Sequence, residues 1–131
     1  MSRRELREQI FKLLFRVEFN RPEDMAEQEE LFFEQEDAAQ GEDADYISDK
    51  FNKISGRITE LDGLLNQKAE GWNTARMGKV DLTILRLAVY EIRYDDSVPT
   101  GVAINEAVEL AKKFGQEASA GFVNGILAKF A

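Results

Sequence analysis

The chain has 131 residues, 44% hydrophobic and 32% charged with two prolines, a composition that suits a folded domain rather than a disordered segment. It contains neither cysteine nor histidine, which removes disulfides, thiolate nucleophiles, zinc–sulfur sites and every Ser-His-Asp, Cys-His or HExxH arrangement. The net charge of −8 is segregated: residues 1–21 carry six Lys/Arg against three Asp/Glu, residues 22–49 carry twelve acids and no base, and residues 50–131 are near balance at eleven against ten. The overall acidity is therefore a poor guide to partners, because the first segment is a basic patch of its own. An enzyme built from this chain would have to run on carboxylates, lysines or tyrosines alone.

Periodicity is helical almost throughout. Leu6, Ile10, Leu13, Leu14 and Val17 form one stripe of a helix from about Ser2 to Phe19, which Arg21-Pro22 breaks. Pro22 suits the first turn of a second helix carrying Met25, Leu31, Phe32 and Phe33, and residues 35–45 read as an exposed acidic loop. Phe51, Ile54, Ile58, Leu61 and Leu65 step as a single third helix ending near Glu70-Gly71, where glycine can adopt a left-handed cap. Trp72 to Met77 reads as a short helix stopped by Gly78. Asp81 is a candidate N-cap for the run Leu82–Ile92, which is apolar on most faces and so predicts a central, buried helix.

Ser97-Val98-Pro99 predicts a turn, Thr100 or Gly101 opens a helix to Phe114 that Gly115 caps, and the last helix carries Phe122, Val123, Ile126, Leu127 and Phe130. Asn105 and Asn124 sit among apolar residues and predict an interhelical hydrogen bond, and Gly125 predicts a close helix approach. The expected fold is all-α: six or seven helices in two small packed bundles sharing the Leu82–Ile92 helix. The expected single domain, 1–131, has an N-terminal half of about 1–78 and a C-terminal half of about 79–131.

Projected around the first helix, Phe11, Phe15 and Phe19 lie roughly opposite the core stripe, beside Arg4, Glu8 and Lys12, with Arg7 next to Phe11. Basic residues interleaved with aromatics suit single-stranded nucleic acid, where cations neutralise phosphates and rings stack on bases. The same stripe also suits packing against a second helix, the commoner use of such a pattern. If it divides, Phe11 is expected nearer the nucleic-acid edge and Phe19 nearer the core. Asp43, Asp45 and Asp49 lack calcium-loop spacing, Glu106 and Glu109 read as a surface pair, and no phosphate-binding glycine loop is present, so no metal or cofactor is expected. No stretch reaches 18 apolar residues, and the alternating charge after Met1-Ser2-Arg3-Arg4 does not resemble a signal peptide, which points to a cytoplasmic protein.

The segment Val102-Ala103-Ile104-Asn105-Glu106-Ala107-Val108-Glu109-Leu110-Ala111-Lys112-Lys113-Phe114-Gly115, with Phe122-Val123-Asn124-Gly125-Ile126-Leu127, resembles the C-terminal signature of the NusB family. Leu85-Arg86-Leu87-Ala88-Val89-Tyr90-Glu91-Ile92 and Val98-Pro99 fit the same family in the same order, and Arg3-Arg4-Glu5-Leu6-Arg7-Glu8 followed by Leu14-Phe15 is similar to its arginine-rich first helix. The resemblance implies two three-helix bundles, no enzyme activity, and binding of the boxA element of nascent RNA together with NusE, a small-subunit ribosomal protein. It also implies a place in RNA polymerase antitermination complexes, including those on ribosomal RNA operons, and covers both monomers and homodimers. It carries the RNA-binding role to Arg3, Arg4 and Arg7, joined by Phe11, Lys12 and Phe15 from the projection. Phe15 stands where the family usually has tyrosine, which removes a hydroxyl and keeps a ring.

The protein partner is expected on a surface around Arg76, Met77, Val80, Asp81 and Ile84, because large apolar residues and opposite charges meet there in a glycine-bounded connector. Trp72 is expected to tuck back onto the third helix. Two other readings are a helical protein-binding adaptor and the RNA-binding domain of an RNA cytosine methyltransferase system.

Overall fold

Helices and short 3-10 turns are the only regular elements of the computed structural model, which describes all 131 residues. Seven α-helices follow in order: α1 (Arg3–Phe15), α2 (Met25–Phe33), α3 (Gly41–Ser55), α4 (Ile58–Lys68), α5 (Lys79–Tyr94), α6 (Thr100–Phe114) and α7 (Ser119–Leu127). Single 3-10 turns occupy Arg16–Phe19, Pro22–Asp24, Thr74–Arg76 and Ala128–Phe130. The all-α expectation holds, and no helix is long and apolar enough to cross a membrane.

Tertiary contacts divide the chain into two units, residues 1–56 and 57–131. The sequence suggested a division near residue 78; it falls earlier because α4 packs on α5 and so joins the second unit. The same boundary explains a second difference. The expected third helix is two helices, since Gly56 closes α3 and Arg57 leaves helical geometry (φ −122°, ψ 16°) before α4 begins. The apolar stripe runs through the break unaltered, which is why periodicity alone joined the two. α3 also starts earlier than expected. Gly41 (φ +60°) opens it, and Glu42, Asp43 and Asp45 lie in its first turns, where carboxylates favour the positive end of the helix dipole.

In the first unit α1 packs on α3. Ile10, Leu13 and Leu14 of α1, Phe32 of α2, and Ile47, Phe51 and Ile54 of α3 are all buried. Each such side chain contributes about 1.5–3 kcal/mol when removed from water.

In the second unit α5 contacts α4, α6 and α7, and every residue from Leu82 to Glu91 is buried. The small side chains Ala103, Ala107 and Ala111 are the buried members of α6 beside Leu110, and Ser119, Val123, Ile126 and Leu127 are those of α7. Arg86, only 7% exposed, donates from Nε and Nη2 to the two carboxylate oxygens of Asp62, both at 2.8 Å, and so ties α5 to α4. A two-pronged bond of this kind fixes register as well as adding energy. At the far end of the same pair of helices Tyr94 donates to Glu60, Arg57 donates to Glu60 at 2.9 Å, and the Arg57 guanidinium lies 4.2 Å from the Tyr94 ring centre. The Tyr94 bond first, and Arg57 second, hold the Glu60 carboxyl below the usual range, while Glu60 pushes the Tyr94 phenol up.

Three local expectations are corrected. Gly78, not Asp81, is the residue preceding α5, and Asp81 lies in its first turn, where its charge still favours the helix dipole. Asn105 and Asn124 are exposed and make no interhelical hydrogen bond. The close approach occurs at Gly115 rather than Gly125: a β-carbon at Gly115 would lie 2.5 Å from Ser119 Oγ and 2.7 Å from the Ala111 carbonyl oxygen, whereas Gly125 has nothing within 4 Å. Ser119 Oγ accepts from the Gln116 N–H at 2.9 Å, which fixes the α6–α7 turn in that tight form. The left-handed glycine expected after the third helix is present, at Gly71 (φ +79°).

These glycines predict opposite outcomes. Gly115→Ala forces backbone movement and should lower stability by about 1–3 kcal/mol, whereas Gly125→Ala should raise it by about 0.5–1 kcal/mol by restricting the unfolded chain in an open helical position. Urea midpoints with unchanged slopes measure both.

Candidate functional site

The first candidate surface is α1. Its start is set by a capping box: the Glu5 N–H donates to Ser2 Oγ (3.1 Å), and the Ser2 N–H donates to Glu5 Oε1 (3.0 Å). The bond from the Ser2 backbone first, and the Ser2 hydroxyl second, hold the Glu5 carboxyl below the usual range. This box fixes the turn carrying Arg3 and Arg4, both exposed, and one face further along lies exposed Lys12. The Met1 ammonium donates to Asp43 at 3.0 Å, so the acidic start of α3 borders the basic end of α1.

Not every residue expected on this face is there. Arg7 is 9% exposed and has a partner within the fold, because on a helical projection it falls between Phe11 and Leu14, inside the buried arc. The aromatic gradient runs opposite to expectation. Phe11 is 3% exposed, Phe15 is half-buried, and Phe19 is 61% exposed. The rings form a ladder, Phe11 stacked on Phe15 at 6.0 Å and Phe15 edge-on to Phe19 at 5.0 Å. Arg3, Arg4, Lys12 and Phe15 thus remain on the candidate surface, Arg7 and Phe11 support it from within, and Phe19 joins it.

The second candidate surface lies in the second unit. A groove of ≈ 290 Å³ is lined by Trp72, Met77, Gly78, Asp81, Gln116, Ala118, Ser119 and Phe122, and an adjoining one of ≈ 230 Å³ by Gly78–Asp81 and Phe114–Gln116 with Ser119. Trp72, 49% exposed, meets Phe122 of α7 edge-on at 5.1 Å rather than tucking onto the preceding helix. Met77 is buried in the wall, Val80 and Asp81 are half-buried, and Arg76 is exposed. Ile84 is fully buried and belongs to the core of α5, one turn inward of Val80. Sequence reasoning missed Phe122, Gln116 and Ser119 as groove residues, since only the turn at Gly115 brings them beside Met77 and Asp81. No group of three or more acidic side chains is arranged to hold a metal ion.

A capped helix with exposed cations in one unit and an aromatic-walled groove in the other define an all-helical protein with two candidate binding surfaces. The NusB family model matches residues 4–131. The transcription antitermination protein NusB of Agathobacter rectalis is 53% identical over 131 residues, covering all of both chains, and that of Listeria innocua is 37% identical over 133 residues, covering all of this chain and 97% of its own. Among solved structures, NusB of T. maritima superposes with a TM-score of 0.88 at 35% identity, over 100% of this chain and 91% of that one. A crystal structure of antitermination factors NusB and NusE in complex with double-stranded RNA matches with a TM-score of 0.84 at 26% identity, over 98% and 94% of the two chains. The chain belongs to the NusB family.

The capping box makes the basic turn pH-dependent. Because the Glu5 pKa is lowered on folding, its contribution is present above its unfolded value near 4.5 and is lost as pH falls through the lowered folded value. Amide exchange at residues 3–6 should therefore accelerate relative to the middle of α1 on acidification through that window. Ser2→Ala should raise the Glu5 titration midpoint and loosen the same amides at neutral pH.

Proposed function

We propose that this protein is a cytoplasmic transcription antitermination factor, without enzymatic activity, that binds the boxA element of nascent RNA together with NusE. In that role it serves RNA polymerase antitermination complexes, including those on ribosomal RNA operons. The observation that carries the reading is the set of exposed cations on α1. Arg3, Arg4 and Lys12 are displayed on a capped helix, with Phe15 beside them, in a chain whose family members act in antitermination. The solved NusB–NusE–RNA complex supports the same pairing of partners. Long cations of this kind neutralise phosphates, and their placement on one rigid helix orients the strand.

NusE is assigned to the second surface, with Asp81, Val80 and Arg76 at the rim and Met77 in the wall. Asp81→Lys should slow association with NusE, because charges at a rim act mainly through encounter. Val80→Ala should speed dissociation, because an apolar anchor acts mainly on lifetime.

The RNA assignment is tested by electrophoretic shift with a boxA-like single strand against a scrambled control, with and without NusE. If three phosphates are neutralised, log K against log salt should slope by about −2 for single-stranded RNA. Reversing Arg3 and Arg4 to Glu should weaken binding to every sequence and flatten that slope. Wild-type protein that shifts neither RNA while still binding NusE would favour a protein-binding adaptor instead.

A further inference from the structure

We propose that Phe19 is a base-stacking platform that extends the RNA path beyond the arginine turn of α1, a residue and role outside the basic surface described above. The inference rests on the RNA-binding reading of that surface. Phe19 ends the 3-10 turn Arg16–Phe19, and at 61% exposure it is the most exposed large apolar side chain in the molecule. Its orientation is held from below. Phe15 meets it edge-on at 5.0 Å, and Phe15 is itself stacked on Phe11, which is 3% exposed and anchored in the core. A solvent-facing ring on a rigid aromatic ladder has little freedom to lose when a second flat group stacks on it.

The occupant follows from charge. Exposed Arg3, Arg4 and Lys12 lie on the same helix, and Arg4 is roughly 25 Å from Phe19 along its axis, by the rise of α and 3-10 turns. Beyond Phe19 the chain turns acidic, with Glu23 and Asp24 holding the Arg21 guanidinium at 3.4 and 3.2 Å. A polyanion is therefore attracted along α1 and repelled past Asn20. A strand laid on the cations of α1 reaches Phe19 last, where the next basic residue, Arg21, is already paired with Glu23 and Asp24 and a ring is offered. Stacking on a base needs no phosphate contact and tolerates any base, so it suits that terminal position.

The test uses the full chain and a single-stranded boxA-like RNA, intact or with one nucleotide at a time made abasic. Phe19→Ala should weaken binding of the intact RNA about 5- to 150-fold, Phe19→Trp should retain it, and Phe19→Leu should behave like alanine. The salt slope should be unchanged in all three, unlike the arginine reversals, because no phosphate contact is removed. At one nucleotide the abasic penalty seen with wild type should disappear in Phe19→Ala. Thermal melts confirm that the exposed site leaves the fold intact.

Unaltered RNA affinity in Phe19→Ala, equal binding by the Leu and Trp variants, or abasic penalties identical to wild type each overturn the proposal. Loss of NusE binding with RNA affinity retained overturns it in favour of a protein contact at Phe19. Wild-type protein with no affinity for the intact RNA overturns the RNA reading itself, and this inference with it.

Discussion

The thirteen residues of α1 must satisfy two environments at once, and the rest of the first unit follows from that constraint. Ile10, Leu13 and Leu14 are removed from water entirely, while Arg3, Arg4 and Lys12 remain in it, so the helix cannot rotate without burying a cation or exposing a leucine. Burial of those side chains against α3 locks the rotation. The capping box of Ser2 and Glu5 then keeps the first turn helical where the buried stripe has already run out. Core packing thus orients the cations, and no separate device is needed to do so.

Charge segregation is the second consequence. The twelve acids of residues 22–49 sit on α2, the connecting turns and α3, alongside the basic helix rather than mixed into it. Some are already engaged: Glu29 accepts from Ser48 (3.1 Å) and Asn52 (3.0 Å), and Asp24 accepts from Arg21. An acidic border of this kind does not abolish attraction for a polyanion; it narrows the path along which attraction acts. In the second unit the corresponding constraint is the burial of α5, held to α4 by Arg86 and Asp62. With α5 fixed, the tight Gly115–Ser119 turn carries Phe122 to Trp72 and opens the groove beside Asp81.

Much of this was legible in the residues. Helical content, the buried α5 and the caps near Gly71 and Gly115 all follow from periodicity and glycine placement, and the resemblance to the NusB family rested on the residues of α5, α6 and α7. The errors have physical causes. The stripe Phe51–Leu65 carries no mark of the break at Gly56–Arg57, because the residues on either side keep helical spacing. The projection itself set Phe19 opposite the core stripe, and nothing in the spacing supported turning it inward; α1 ends at Phe15, and Phe19 closes the following 3-10 turn in solvent. Phe11 and Arg7 were misplaced because a helix packed in a small unit buries a broader arc than the narrow seam read from its leucines. Only one wall of the groove, at Met77 and Asp81, was legible; the other, at Gln116, Ser119 and Phe122, lies more than thirty positions further along the chain.

The central claim is that the exposed side chains of α1 and the turn after it form the RNA path. Backbone and side-chain NMR shifts, followed while single-stranded boxA-like RNA is titrated into the full chain at two salt concentrations, measure it most directly. The account predicts perturbations concentrated at Arg3, Arg4, Lys12, Phe15 and Phe19, shrinking together as salt rises, with Ile10 and Leu13 little changed. Perturbations centred instead on Trp72, Asp81 and Phe122, with α1 silent, would contradict it.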